Sequence, residues 1–225
     1  MIDRTDPAFE GVKFRTTHRR QTAQGQIATD LSPCALPSPA VSPPGQTAVV
    51  CCKGRSWSPD RLSDPRFAGA SIWAVNATIL DVACDWACCC DLGSEGTDAI
   101  SERILSHPPR KGLLVSTRTL FFHYHWAEWT LEKGIDCEAW DCAHIGGVGA
   151  FTSVAAIDVA ARRVGPGGTV FVVGADMEGP CGETDAQARW PIECKVIEQL
   201  TTSWAKEGRR IVRLPAIGGG PSISC

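Results

Sequence analysis

Four places in the sequence put polar side chains directly after a short apolar run, where a buried strand would end. They are Lys53 to Ser56 after TAVVCC, Asn76 after SIWAV, Asp91 after DWACCC, and Asp176 after TVFVVGA. Open α/β sheets bind their ligands at the carboxyl ends of their strands. Each ending alone suits a cap or a turn, but four together favour one shared ligand site.

The first two endings suit the parts of a nucleotide. Gly54 allows close approach of the backbone to a ligand, and the following amides, with Lys53, Arg55 and Ser56, favour phosphate. The side chain of Asn76 is able to hydrogen-bond a base or a ribose. The first stretch is neither a P-loop nor a GxGxxG fingerprint, so it specifies no particular nucleotide.

The most informative stretch runs from Gly149 to Gly179. A turn containing Thr152 and Ser153 opens an Ala-rich helix, and a Gly- and Pro-containing loop leads into a wholly apolar strand. That strand delivers the carboxylate of Asp176 to its carboxyl end. The pattern makes a nucleotide-type ligand more plausible than a purely structural role.

The elements that must position these residues alternate along the chain. Predicted strands are TAVVCC, SIWAVNAT, DWACCCD, KGLLVST, TVFVV and RRIVRLP. Predicted helices begin at Ser58-Pro59, run from Ser94 to His107, span the Ala-rich segment and run from Pro191 to Gly208, whereas LFFHYHWAEW fits either type. This order predicts an α/β fold, a Rossmann-like three-layer sandwich with a mainly parallel central sheet.

Composition divides the 225 residues into an N-terminal arm and one folded domain. Residues 1–46 include the Pro-rich stretch LSPCALPSPAVSPPGQ and are expected to form a disordered or loosely draped arm. One domain is expected over 47–225, with 117–147 as an irregular insert or lid. The net charge of −3 gives no overall footprint for nucleic acid. With no apolar run of about 20 residues and no secretory segment, we expect a cytoplasmic protein without a membrane span.

Cysteine usage agrees with a reducing compartment. The chain has 12 Cys, and several lie in apolar strand-like runs, such as Cys51-Cys52 and Cys88 to Cys90. Free Cys is among the most buried residue types, so these are interpreted as small core residues.

These motifs, in this order, resemble the small bacterial sialyltransferases with one Rossmann-like domain and the related glycosyltransferase-like proteins of flagellin modification. The resemblance rests on CCKGRSW, SIWAVNAT, DWACCCDLGS, GAFTSVAAIDVAARRVGPGGTVFVVGADMEG and ECKVIEQLTTSWAKEGRRIVRLP, over about residues 47 to 215.

The resemblance implies a glycosyltransferase that uses a nucleotide-sugar donor. Gly54 and Ser56 would lie by the phosphates or the sugar, and Asn76 and the Asp91 turn would face the nucleotide. By the same resemblance, the remaining contacts fall on the Gly149–Gly179 unit, with Thr152 and Ser153 near the transferring carbon and Asp176 beneath the reacting centre.

The chain departs from that family after Asp176. The family has tyrosines there and a later His as general base, whereas this chain has Met177 and Glu178, and no His after His144. The alternative candidate bases are three carboxylates, Glu178, Glu183 and Asp185. Charge on the leaving phosphate would be balanced by Lys53, Arg55 or Arg118, or by a divalent metal held by Asp91 and Asp176. A donor other than a sialic acid nucleotide is favoured.

The sequence fits two kinds of acceptor and two function classes. Trp126, Trp129 and Trp140 form either a small satellite core or an aromatic wall for an acceptor glycan. With Arg110, Lys111 and Arg118 nearby in sequence, the acceptor is alternatively a nucleic acid, such as a modified DNA base. The missing His and Tyr also fit a non-catalytic nucleotide- or nucleic-acid-binding module.

A zinc site is the less favoured interpretation of a second group of residues. Its members carry imidazole and thiol ligands that suit Zn²⁺, namely His123, His125, Cys137, Cys142 and His144. Their spacing matches neither a zinc finger nor a zinc ribbon. On a strand, His123 and His125 would share one face.

Overall fold

The computed structural model describes residues 45–54, 56–140, 151–176 and 184–214, without the side chains of 184–191. Of the predicted arm, residues 1–44 lie outside these ranges, as do Arg55, 141–150, 177–183 and 215–225.

A single sheet of seven parallel strands forms the centre of the described chain, in the order β5-β4-β3-β2-β1-β6-β7. The strands are β1 Thr47–Cys51, β2 Ser71–Val75, β3 Trp86–Cys88, β4 Gly112–Ser116, β5 Asp136–Trp140, β6 Thr169–Val173 and β7 Arg210–Arg213. The helices are α1 Thr78–Asp81, α2 Asp98–Ser106, α3 Thr117–Phe122, α4 His125–Lys133, α5 Thr152–Val164 and α6 Thr184–Lys206, with short 3₁₀ helices at Pro59–Ser63 and Pro65–Phe67.

Strand β1 lies in the interior of the sheet because its residues are apolar on both faces. Val49 is paired in register with Ile72 of β2 and Phe171 of β6. Val49 and Val50, which point to opposite faces, are both fully buried. A near-continuous apolar run of this kind is typical of a parallel strand covered on both sides.

Two helical layers cover the sheet, which gives the predicted three-layer sandwich. Helices α5 and α6 pack on one face, where Val50, Val154 and Val196 belong to one apolar cluster. On the other face, α1, α2 and α4 pack over β2 to β4, and the second 3₁₀ helix covers β1 and β6 through Phe67. The fold class expected from the sequence is confirmed.

Helix α5 packs closely on the sheet because its buried side is built from small residues. Ala155, Ala156, Ala160 and Ala161 are fully buried. The helix ends at Val164, in agreement with the sequence pattern, and the chain then turns at Gly165.

The region from 117 to 140 is regular, which differs from the expected irregular insert or lid. LFFHYHWAEW forms the end of α3 and most of α4, and DCEAW forms the edge strand β5. DCEAW is not an apolar run. Its charged residues Asp136 and Glu138 form ion pairs with Arg163 and Arg162 of α5, and these pairs stabilise a strand that the apolar pattern does not reveal.

Two other boundaries differ from the sequence prediction. Helix α6 begins at Thr184, seven residues before the expected start at Pro191. The helix expected after Ser58 is a 3₁₀ helix, and the Ser58 side chain makes no capping hydrogen bond. Within the described ranges, no helix is both long enough and apolar enough to cross a membrane.

Candidate functional site

The chain reverses direction across the sheet between β1 and β6. From β1 it proceeds through β2, β3 and β4 to the β5 edge, and it then returns through α5 to β6 on the other side of β1. The loop after β1 leads to one face and the loop after β6 leads to α6 on the other. In open parallel sheets, such a switch point leaves a crevice at the carboxyl ends, where ligands bind.

Ser56 and Asp176 join the two loops that flank this crevice. The Ser56 amide donates to Asp176 Oδ2 over 2.6 Å, and Ser56 Oγ donates to Asp176 Oδ1 over 2.5 Å. Ser56 Oγ also accepts from the amide of Gly174 at 3.1 Å. Both carboxylate oxygens are therefore fixed in direction, with the remaining lone pairs left for another partner.

Two glycines let the loops approach this closely. The Gly54 amide donates to the Gly174 carbonyl over 2.6 Å. A Cβ at Gly54 would lie 2.2 Å from the Gly174 oxygen and 2.5 Å from Asp176 Oδ2. At Gly174, which has a φ of +73°, a Cβ would lie 2.0 Å from the Cys52 oxygen. Only glycine fits at either position, as expected where backbone approaches backbone.

Asn76, at the end of β2, has two unusual features. Its φ of 52° is the left-handed conformation, which the structure shows at no other non-Gly residue in the described ranges. Its Oδ1 is buried and accepts no hydrogen bond from any described residue. Thr78, two residues later, donates through Oγ1 to the Cys51 carbonyl over 2.9 Å, which ties this turn to the end of β1.

The end of β3 holds Asp91 in an exposed turn, where its carboxylate accepts from Cys89 Sγ at 3.4 Å. Gly93 in this turn lies against His123, whose ring is 3.0 Å from the position of a Gly93 Cβ. Lys53, after β1, is also exposed.

Thr152 and Ser153 open α5 above the middle of this edge, but their hydroxyls already have protein partners. Thr152 Oγ1 accepts from the amide of Cys90 at 3.3 Å. Ser153 Oγ donates to Glu193 of α6 in a short hydrogen bond. Both residues are buried, so they hold the helix against the sheet. The Glu193 carboxylate complements the positive end of the α5 dipole.

Charged groups surround the buried thiol of Cys52, next to the Gly54 turn. Burial raises the pKa of this thiol well above its ordinary value, and the negative charges of Glu193 and Asp176 raise it further. The guanidinium of Arg213 acts in the opposite direction. Arg213 also donates to the Asp176 carbonyl over 2.6 Å. Asp176, Glu193 and Arg213 are thus near neighbours at the ends of β1, β6 and β7.

Glu193 and Arg213 were not singled out by the sequence pattern, although one signal for Glu193 was present. It lies three residues before Val196 and seven before Leu200, on the stripe that α6 buries. A carboxylate on an apolar stripe is rarely buried without a partner, and here the partner is Ser153. Arg213 lies in a short strand whose pattern gives no sign of the contact with Asp176.

Several predicted residues lie outside the described part of the chain. Arg55, Glu178 and Glu183 are among them, and Asp185 lies in α6 without a described side chain. Cys142 and His144 of the zinc hypothesis are also outside. His123 and His125 do not share a strand face, because they lie at the break between α3 and α4 with their rings at 83°.

The described side chains include no group of three or more His, Cys, Asp or Glu that is arranged to hold a metal ion.

The tryptophans expected as a satellite core or an acceptor wall are mostly inside the protein. Trp126 and Trp140 are buried, and Trp129 is half-buried against Trp126 at a ring distance of 5.7 Å. The exposed aromatic side chains in this region are instead Phe121, Phe122 and Tyr124. An acceptor that stacks on an aromatic ring in this region would therefore contact α3 or the break between α3 and α4, and not the tryptophans.

No protein-family model, curated protein or solved structure matches the chain.

Proposed function

We propose that the protein is a glycosyltransferase that binds a nucleotide-sugar donor at the carboxyl edge of its sheet, above β1, β2 and β6. The acceptor is a glycan or a nucleic acid base. The proposal rests on the switch-point crevice, the two glycines that narrow its base, and above all on Asn76.

Asn76 carries the proposal because its Oδ1 has no partner among the described residues. The left-handed φ suits an asparagine that opens a turn, but a buried acceptor without a donor is unfavourable. Such outliers concentrate at ligand sites. The hydroxyl of a ribose or the N–H of a base would donate to Asn76 Oδ1.

We assign the phosphates of the donor to the turn after β1. Gly54 lets this turn lie directly against Gly174, and Lys53 is exposed beside it. The Lys53 ammonium would balance charge on the leaving phosphate, as expected of cations at phosphoryl groups. Arg213 contributes a further positive charge near Asp176.

In the transfer step, the bond between the anomeric carbon and the phosphate oxygen breaks, and the electron pair leaves with the nucleotide. The acceptor oxygen or nitrogen forms the new bond to carbon, and its proton goes to a carboxylate base. Positive charge that develops on the sugar would be stabilised by the Asp176 carboxylate, which Ser56 holds in a fixed direction. Glu193, which accepts from Ser153 at the start of α5, joins Glu178, Glu183 and Asp185 as a candidate base.

One observation favours the alternative of a non-catalytic nucleotide-binding module. Thr152 and Ser153, expected near the transferring carbon, have their hydroxyls engaged by Cys90 and Glu193. If these hydroxyls stay bound to their protein partners, the site binds a nucleotide but lacks two of the donor contacts expected near the transferring carbon.

The test is a panel of uridine, guanosine, cytidine and thymidine nucleotide sugars, read by thermal shift and by release of free nucleotide. We expect one donor class to raise Tm saturably and to be turned over, at least slowly, by water. Asp176→Asn should abolish turnover while it retains the thermal shift. If a donor raises Tm but wild-type protein releases no nucleotide with any acceptor tested, the binding module is correct. If no donor raises Tm and none is consumed, both proposals fail.

A further inference from the structure

A cavity of about 330 Å³ opens at the opposite edge of the sheet, where the strands begin. Its walls include Thr47 of β1, Trp73 of β2, Trp86 of β3 and Asp136 of β5. The volume is within the range of small-molecule sites, about 300–1,000 Å³. The length of β1, roughly 16 Å for five residues, separates it from the carboxyl edge.

The inner wall of this cavity is a rigid stack of three planar groups. The rings of Trp73 and Trp86 are stacked at 4.7 Å with an interplanar angle of 7°. The guanidinium of Arg163 lies 4.1 Å from the centre of the Trp86 ring. Gly112 leaves the space for this stack, because a Cβ there would lie 2.5 Å from the Trp86 ring.

Two N–H donors in this wall have no acceptor. Trp73 Nε1 and Arg163 Nε are buried, and neither has a hydrogen-bond partner among the described residues. Trp73 itself is 1% exposed. Buried donors in folded proteins are nearly always paired, so an acceptor that entered the cavity would satisfy two donors that no described residue satisfies.

The rim of the cavity is positively charged. Arg110 and Lys111 both line it, and they share one carboxylate, Asp85, at 3.2 and 3.7 Å. Two cations against one anion leave an excess positive charge, and both side chains are more than half exposed. Deeper in the cavity, Arg163 pairs with Asp136 and Glu138 at 2.9 and 3.0 Å, and Glu138 also pairs with Arg162 at 2.9 Å, so two cations there face two carboxylates. The attraction for an anion is therefore located at the rim.

We propose that this amino-edge cavity binds a small anion whose phosphoryl or carboxylate oxygens accept hydrogen bonds from Trp73 and Arg163 and face Arg110 and Lys111 at the rim. The site is separate from the carboxyl edge and does not depend on the proposed glycosyl transfer. Its chemistry is that of oxygen acceptors on a compact anion, because both faces of Trp86 are already covered and leave no ring for a base to stack on.

The experiment titrates the full chain with inorganic phosphate, inorganic pyrophosphate and succinate, read by calorimetry and tryptophan fluorescence. We expect saturable binding of at least one anion, and the preferred probe distinguishes a phosphoryl from a carboxylate ligand. The double variant Arg110→Gln/Lys111→Gln should weaken binding by roughly tenfold or more, because charge-assisted hydrogen bonds are lost. Trp73→Phe keeps a ring but removes the N–H, and it should also weaken binding.

Two matched controls separate this site from other positive charge. Lys133→Gln removes an exposed cation outside the cavity and should leave the affinity unchanged. Ser56→Ala perturbs the carboxyl edge and should also leave it unchanged. Absence of saturable binding with all three anions would overturn the proposal. Equal affinity in wild type and the Arg110→Gln/Lys111→Gln variant would do so as well, and circular dichroism on each variant verifies that the fold is retained.

Discussion

Ser56 contacts Asp176 through both its amide and its hydroxyl, at 2.6 and 2.5 Å, although 120 residues separate them in the chain. The pair fixes the loop after β1 to the loop after β6 across the switch point. It also fixes the direction of the carboxylate that would face a donor sugar. If a donor binds as proposed, stability and ligand binding are coupled at this contact.

Ser56→Ala is expected to lower the free energy of unfolding by about 1–3 kcal/mol, because it removes a hydrogen bond to the half-buried Asp176 carboxylate and leaves the buried Gly174 amide without a partner. Urea unfolding measures the loss. Ser63→Ala, at an exposed serine, should change stability by no more than about 0.5 kcal/mol. Equal effects of the two substitutions would contradict this view of the contact.

Gly54→Ala is expected to cost about 2–3 kcal/mol, the upper part of the range for overpacking, since the new Cβ overlaps the Gly174 carbonyl and the strand ends must separate. Gly69→Ala is the matched control. Its Cβ has nothing within 4 Å, so only its φ of +73° opposes the substitution, at about 1 kcal/mol. Donor binding should be weakened by the first substitution and not by the second. A Gly54→Ala protein as stable as Gly69→Ala would show that the loops are not held in close contact.

Asn76→Gly should separate a structural role from a ligand role. Glycine adopts the φ of 52° freely, so stability should stay the same or rise by up to about 1 kcal/mol. Removal of Oδ1 should abolish the thermal shift that a donor produces. Asn76→Ala provides the comparison, because it loses the same acceptor but keeps the unfavourable backbone. Unchanged donor affinity in Asn76→Gly would remove the main support for the nucleotide site.

Asp158 accepts from two indoles, Trp140 Nε1 at 3.2 Å and Trp204 Nε1 at 3.1 Å. Asp158→Ala leaves both donors unpaired, and we expect it to lower the free energy of unfolding by about 2–4 kcal/mol. Thermal and urea unfolding measure the change, with Glu102→Ala on the exposed side of α2 as control. A loss similar to that of the control would mean that neither hydrogen bond stabilises the fold.

Burial raises the pKa of the Cys84 thiol from 9.0 to about 11. Below about pH 9 the thiol is protonated in both the folded and the unfolded chain, so it makes no difference to stability there. Between pH 9 and 11 the unfolded chain ionises first, and stability falls by up to about 2–3 kcal/mol. Cys84→Ala should lose less stability than wild type over this interval, as measured by urea unfolding at pH 8 and pH 11. If wild type and Cys84→Ala lose the same stability between pH 8 and pH 11, the raised pKa of Cys84 does not contribute to the pH dependence.

The sequence was sufficient to predict the fold class because most strands are short apolar runs separated by helices. β5 escaped prediction because Asp136 and Glu138 gain their stabilisation from Arg163 and Arg162, which are more than 20 residues away in the chain. Local patterns do not contain such pairings.

The candidate site was predictable only in part. Gly54, Ser56 and Asp176 were identified as residues at strand ends, and the structure brings them into contact. That Ser56 binds Asp176 directly depends on the strand order, which no local pattern encodes. Thr152 and Ser153 were correctly placed at the start of a helix, but the carboxylate that binds Ser153 comes from α6.

The ion pairs of β5 have a consequence beyond the stability of one chain. Among the described residues, β5 is the last strand on its side of the sheet, and an open strand edge is a template on which another polypeptide can add a strand. Charged residues on an edge strand make such an addition unfavourable, and β5 carries two, Asp136 and Glu138. We therefore expect apolar residues at these two positions to favour association of the protein through this edge.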